Sequence, residues 1–204
     1  MPNYYLKKYN CVFIHMPKTG GQSILHGVFK SEFEGQFGNS AHGFDGNIPH
    51  QYDGLFKFCF VRNPYDRIIS AWKFCQLRFK WTISLKEFIL IAVDDTITYT
   101  SKNNMDEKGR WDLSKVDTYK IFSRYHSIPQ THPFNCLHKA DFIGRFENIN
   151  EDMAKICDQL NMEAKLPHRN KSKRGHYRDY FDIESRWLVD KWYREDIERF
   201  GYTF

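Results

Sequence analysis

Apolar positions along the chain fall into two alternating kinds of run. "CVFIH" (residues 11–15) is short and nearly continuous, as a strand covered on both faces requires. After the polar break "MPKTGGQS", Ile24, Leu25, Val28 and Phe29 recur at helical spacing. "LFKFCFV" (55–61) predicts a second strand, and "RNPYDRIISAW" after it predicts a helix. In that helix Asn63 is placed to cap, Pro64 takes the first position, and Ile68, Ile69 and Trp72 share a face. "DFIGRF" (141–146) predicts a third strand, followed by a helix with the stripe Ile149, Met153, Ile156, Cys157 and Leu160. "SLKEFILIAV" (84–93) reads as a helix, residues 94–112 as a polar excursion, and 183–200 as a last helix with Trp187, Leu188, Trp192 and Tyr193 as its core face. Strand and helix in alternation predict an α/β fold with a central parallel sheet flanked by helices, whose ligands gather at the carboxyl ends of the strands.

Composition narrows the class. With 204 residues, 41% of them hydrophobic, the chain can bury one sizeable core, so a single domain over 1–204 is expected. A net charge of +5, from 30 basic against 25 acidic residues, permits an anionic ligand but is no nucleic-acid tail. Five cysteines without a CxxC spacing read as small buried apolar groups. His126, His132 and His138 recur every six residues, which puts them on no common face, and no metal is expected. The first 15 residues contain no long apolar stretch, and no run of about 18 apolar residues follows, so a cytoplasmic protein without a membrane span is expected.

The polar break at 16–23 carries the first candidate chemistry. Gly20 and Gly21 let backbone N–H groups approach a ligand closely at the end of a buried strand, with a helix start behind them; such a turn is an anion cradle. Lys18 adds a mobile charge, and Thr19, Gln22 and Ser23 add neutral donors. The same residues also suit an ordinary strand-to-helix turn. A Walker A loop places Lys after its second glycine, whereas Lys18 precedes the glycine pair, so this is not a standard nucleoside-triphosphate loop.

"HMPKTGGQS" resembles the 5′-phosphosulfate loop of the sulfotransferases that use 3′-phosphoadenosine 5′-phosphosulfate (PAPS), and "FVRNPYDRIISAW" resembles their 3′-phosphate segment, in the same order. "DFIGRFENINEDM" and "LPHRNKSKRGHYRDYF" are similar to later stretches of the branch that includes the carbohydrate 2-O-sulfotransferases, so the resemblance covers most of 11–202. It implies a P-loop-like three-layer fold. Lys18 would neutralise charge developing on the bridging oxygen, while Thr19, Gly20, Gly21, Gln22 and Ser23 would hold the 5′-phosphate. Arg62 and Ser70 would take the 3′-phosphate, Arg62 with a planar fork that Lys would not reproduce; Arg67 is a weaker candidate.

Transfer to a hydroxyl needs a proton acceptor. His42, in "SAHGFDG" between the two cofactor segments, is the candidate base. The 2-O-sulfotransferases carry His-Gly-His at a similar place; here the stretch is Ala41-His42-Gly43-Phe44, so one family histidine has no counterpart. His50 is the substitute candidate, followed by Glu32 and Glu34. The basic stretch 169–178 reads either as a solvated loop or as a lid whose Lys173, Arg174 or Tyr177 closes over the 3′-phosphate. Gln130 and His132, in "QTHPF", resemble the family's substrate-side segment. The expected activity is sulfuryl transfer from PAPS to a hydroxyl of a carbohydrate, without a metal or a nucleic-acid partner and with the oligomeric state open. Two rivals are an ATP-dependent small-molecule kinase, which lacks the Walker order, and a basic polyanion- or RNA-binding module, for which no RRM, KH or zinc signature is present.

Overall fold

A hairpin opens the fold. In the computed structural model, strand β1 (Asn3–Leu6) runs into a single 3-10 turn, Lys7–Tyr9, and Asn10 takes a left-handed conformation with φ 48°. Asn10 donates its N–H to the Lys7 carbonyl at 3.0 Å, and the chain returns as β2 (Cys11–Ile14), with Tyr4 opposite Phe13 and Leu6 opposite Cys11. So short a connection can join only antiparallel strands, because a parallel pair needs a long crossover. β3 (Gly35–Phe37) adds antiparallel to β1, while β4 (Phe56–Val61) and β5 (Phe142–Arg145) add parallel on the other side, in the order β3-β1-β2-β4-β5. The sheet is therefore mixed and not parallel throughout: the expected strands form its parallel part, β1 runs against them, and β3, antiparallel to β1, runs in their direction again at the edge.

The helices are α1 (Gly21–Ser23), continued as a π-helical turn over Ile24–Val28, α2 (Pro64–Phe79), α3 (Leu85–Val93), α4 (Thr118–Ser127), α5 (Ile149–Gln159), α6 (Ile183–Trp192) and α7 (Arg194–Phe200). The structure describes residues 3–33, 35–37, 48–97, 118–163 and 174–204. They group into two compact units, one drawn from 3–33, 35–37, 48–62, 132–163 and Arg174 and the other from 63–97, 118–131 and 175–204. None of the described helices is long and apolar enough to cross a membrane.

The first unit holds the whole sheet. Its core packs Leu6, Cys11, Phe13, Phe58 and Phe60 from the strands against Ile24, Leu25, Val28 and Phe29 and against Met153, Ile156 and Cys157 of α5. The second unit is helical, with Tyr65, Ile68, Ile69, Phe88, Ile89, Leu188, Val189 and Tyr193 at its centre. As its sequence predicts, α2 starts with Pro64 behind a capping Asn63 whose side chain accepts from the Tyr65 N–H at 3.0 Å. Ser84 and Glu87 close a capping box on α3. The last predicted helix is broken in two at Tyr193, which is 1% exposed and donates its hydroxyl to the Ser127 carbonyl at 2.6 Å. Leu188 and Tyr193 are core as expected, but Trp187 and Trp192 are exposed, because the helix turns only one face inward. All five cysteines are free and buried.

His15, just past β2, is 4% exposed, with the Tyr4 and Phe13 rings packed about it and its backbone N–H donating to Asn3 Oδ1 at 3.1 Å. Burial, reinforced by nearby positive charge that includes Lys18, pushes its pKa down to about 3. The native state thus refuses a proton that the unfolded chain accepts near pH 6.5, so stability is full above that pH and is lost as pH falls toward 3. Between pH 6.5 and 5 the loss from His15 comes to about 2 kcal/mol. Urea unfolding across this range should show His15→Asn losing less stability on acidification than the wild type; equal losses would rule out a neutral buried His15.

Candidate active site

Three parallel strands end side by side, and each end supplies part of the site. β2 delivers His15 and the 16–20 turn, β4 delivers Arg62, and β5 delivers Phe146. Arg62 is 7% exposed. Its Nη1 donates to the Lys18 carbonyl at 2.9 Å, and its guanidinium lies 4.1 Å from the centroid of the Phe146 ring. The loop is also held from within, since the buried Thr19 hydroxyl donates to the Met16 carbonyl at 3.0 Å. Lys18 itself sits in the left-handed region, with φ 69°.

Both glycines are sterically required. Gly20 has φ +88°, and a Cβ there would lie 2.7 Å from Ile149 Cδ1 and 3.2 Å from Phe146 Cδ2. A Cβ on Gly21 would lie 2.0 Å from His15 Nε2. The backbone between them is therefore wedged between α5 and its preceding turn on one side and the His15 imidazole on the other. That gives the Pro-Lys-Thr-Gly-Gly turn a fixed shape. Gln22 is exposed and Ser23 buried at the start of α1.

The remaining sequence-predicted residues divide clearly. Ser70 is half-buried in α2 of the helical unit, while Arg62 closes β4 in the sheet unit. Arg67 is 1% exposed and its Nη1 donates to the Ile128 carbonyl at 2.8 Å, a tie within the helical unit. His50 lies in a 3-10 turn before β4, at the amino end of a six-residue strand whose carboxyl end carries Arg62. At about 3.3 Å per residue the two ends are roughly 20 Å apart, so His50, paired with Asp53 at 2.9 Å, lies by the opposite end of β4 from Arg62. Glu32 is exposed and bonds Lys8 at 2.9 Å, beside the amino end of β2. His42, Lys173 and Glu34 lie outside the described residues.

Gln130 is fully buried. The Asp196 carboxylate, also fully buried, accepts from the Gln130 N–H at 2.7 Å, from its Nε2 at 3.1 Å and from the Thr131 N–H at 2.8 Å. This is an internal clamp on the 130–131 backbone and not a surface group awaiting an acceptor. His132 is half-buried, and its Nδ1 accepts from the Phe134 N–H at 3.2 Å as the cap of a short turn. Arg174 is half-buried, and Tyr177 packs on Tyr65 in the helical core with ring centroids 6.5 Å apart. Sequence reasoning missed two residues here, His15 and Phe146. Each directly follows a strand that ends at the site, and that position was the available signal.

The sequence profile of the sulfotransferase family matches residues 4–203. Carbohydrate sulfotransferase 12 of Xenopus laevis is 28% identical over 171 residues, which are 72% of this chain and 40% of that protein. Carbohydrate sulfotransferase 12 of Mus musculus is 28% identical over 172 residues, with the same shares. An uncharacterized protein of Archaeoglobus fulgidus is 28% identical over 119 residues, 57% of this chain and 76% of its own length. The alignments thus span about two fifths of the carbohydrate sulfotransferases, and the match to the family profile runs through all three strand ends that build the site. This chain belongs to the sulfotransferase family.

Proposed function

We propose that the protein transfers a sulfuryl group from PAPS to a carbohydrate hydroxyl. The observation that carries this reading is the joining of the Lys18 turn to Arg62 across the carboxyl ends of two adjacent parallel strands. A wedged glycine turn with a cation and a buried guanidinium at its side suits a ligand with two separated phosphates. Bound PAPS supplies the activated sulfuryl group. Backbone N–H groups of 19–22 hold the 5′-phosphate, the Ser23 N–H being taken by the Gly20 carbonyl at 2.9 Å, and Arg62 takes the 3′-phosphate, to which the resemblance also assigns Ser70. His42 accepts the acceptor's proton as the new S–O bond forms, and Lys18 balances the charge left on the phosphate oxygen when the old one breaks. The positions of His50 and Glu32 at the far edge support His42 as the base. The carbohydrate acceptor is proposed from the names of the two vertebrate relatives. The cytoplasmic setting stays part of the proposal, supported by five free, buried cysteines.

Lys18→Ala should lower turnover by roughly two to three orders of magnitude. Alanine inherits the same left-handed conformation, so the melting temperature should hardly move. Unchanged turnover with labelled PAPS would remove Lys18 from the chemistry. His42→Ala should abolish most transfer yet leave calorimetric binding of adenosine 3′,5′-bisphosphate intact, since a base meets the acceptor; loss of nucleotide binding as well would assign His42 to the cofactor.

Nucleotide selectivity tests the donor itself. Charge-assisted contacts to the 3′-phosphate of about 2 to 4 kcal/mol make adenosine 3′,5′-bisphosphate bind roughly 30- to 1,000-fold more tightly than adenosine 5′-monophosphate. Ser70→Ala should narrow that gap modestly. Near-equal affinities in the wild type would refute PAPS recognition.

A further inference from the structure

A lysine in the left-handed region is uncommon, and such conformations persist where neighbouring groups enforce them. At Lys18 the enforcing groups form a closed ring of contacts. Arg62 Nη1 holds the Lys18 carbonyl at 2.9 Å. The same guanidinium lies over the Phe146 ring, 4.1 Å from its centroid. The Phe146 ring edge in turn fills the space where Gly20 would carry a Cβ, 3.2 Å away. Gly20 is two residues from Lys18, and the ring of contacts closes there. A guanidinium offers five N–H donors in one plane, so it can hold a carbonyl with one edge and an anion with another while its face rests on an aromatic ring.

We propose that Phe146 is a positioning residue that, through Arg62, sets the conformation of the Lys18 turn, so that the 5′-phosphate loop and the 3′-phosphate subsite act as one energetic unit. Arg62 then has two tasks, of which holding the turn does not need a 3′-phosphate. Removing it weakens even a nucleotide that lacks that phosphate. Phe146 touches neither phosphate in this scheme and acts through the guanidinium. The proposal rests on the reading that residues 18–23 hold the 5′-phosphate.

The test is calorimetry of adenosine 5′-monophosphate and adenosine 3′,5′-bisphosphate against the wild type and variants. Arg62→Ala should weaken the monophosphate about tenfold and the bisphosphate far more. Phe146→Leu should weaken both nucleotides by about tenfold, and Phe146→Tyr, which keeps the ring, should stay within about twofold of the wild type. Combining Arg62→Ala with Phe146→Leu should weaken the monophosphate no further than Arg62→Ala alone, because both changes act on one carbonyl. If Phe146→Leu does not fold, Arg62→Ala decides. Wild-type affinity for the monophosphate in Arg62→Ala or in a folded Phe146→Leu, additive losses in the double variant, or a weakened Phe146→Tyr would each overturn the proposal while leaving the function standing. A wild type that binds neither nucleotide would remove the functional reading and this one together.

Discussion

One guanidinium organises the carboxyl edge of the sheet. Taking a charged group out of water costs several kcal/mol unless its donors are met, and Arg62 is 7% exposed at the end of β4. It meets the Lys18 carbonyl on one side and the face of Phe146 on the other, so the ends of β2, β4 and β5 are tied by a single side chain. The backbone responds by placing Lys18 at φ 69°, a conformation costing on the order of 1 kcal/mol or more for a residue with a Cβ. With Gly21 pressed on His15 and Gly20 on Phe146 and Ile149, the turn has no room to relax. Donors fixed before a ligand arrives are the ones that stabilise developing charge without reorganisation.

The two halves of the sheet do different work. Its parallel strands aim three chain ends at one place, and the long return from β4 to β5 passes through a helical unit with a core of its own. Strand β1 supplies no residue to the turn, but its Asn3 accepts the His15 N–H and so fixes the last residue before the Met16–Gly20 stretch. The hairpin thus steadies the residue on which Gly21 rests.

What could be read in advance follows from the range over which each signal acts. The strand-turn-helix at 11–29, the Asn63 cap and the Ser84 start depend on neighbours within a few residues, and all three are present. β3 is only three residues long, and β1, Asn-Tyr-Tyr-Leu, lacks the continuous apolar run of β2, so neither stands out in the pattern, and the mixed sheet follows from them. Trp187 and Trp192 look like core by hydrophobicity, yet which face of α6 turns inward depends on α3, far away in the chain. Gln130 reads as a surface amide until Asp196, 66 residues on, claims it. For the site, Lys18 and Arg62 were legible because glycine spacing and a strand end are local features. Their direct bond was not, since it depends on parallel pairing of strands that are separated by more than forty residues. The end of β4 that the His50 turn serves was not legible for a related reason: distance along the chain does not tell which end of a strand a loop serves.

The five free cysteines have a practical consequence. Cys11, Cys59, Cys136 and Cys157 belong to the sheet unit and Cys75 to the helical one, and none is more than 3% exposed. For Cys11, burial also raises the thiol pKa to about 12, which suppresses the thiolate that alkylating reagents attack. Reaction with such a reagent therefore has to wait for the surrounding unit to open. Nature has left an internal clock in each half of the molecule: the rate at which Cys75 is labelled times the breathing of the helices, and the rate at the other four times that of the sheet, with no probe introduced.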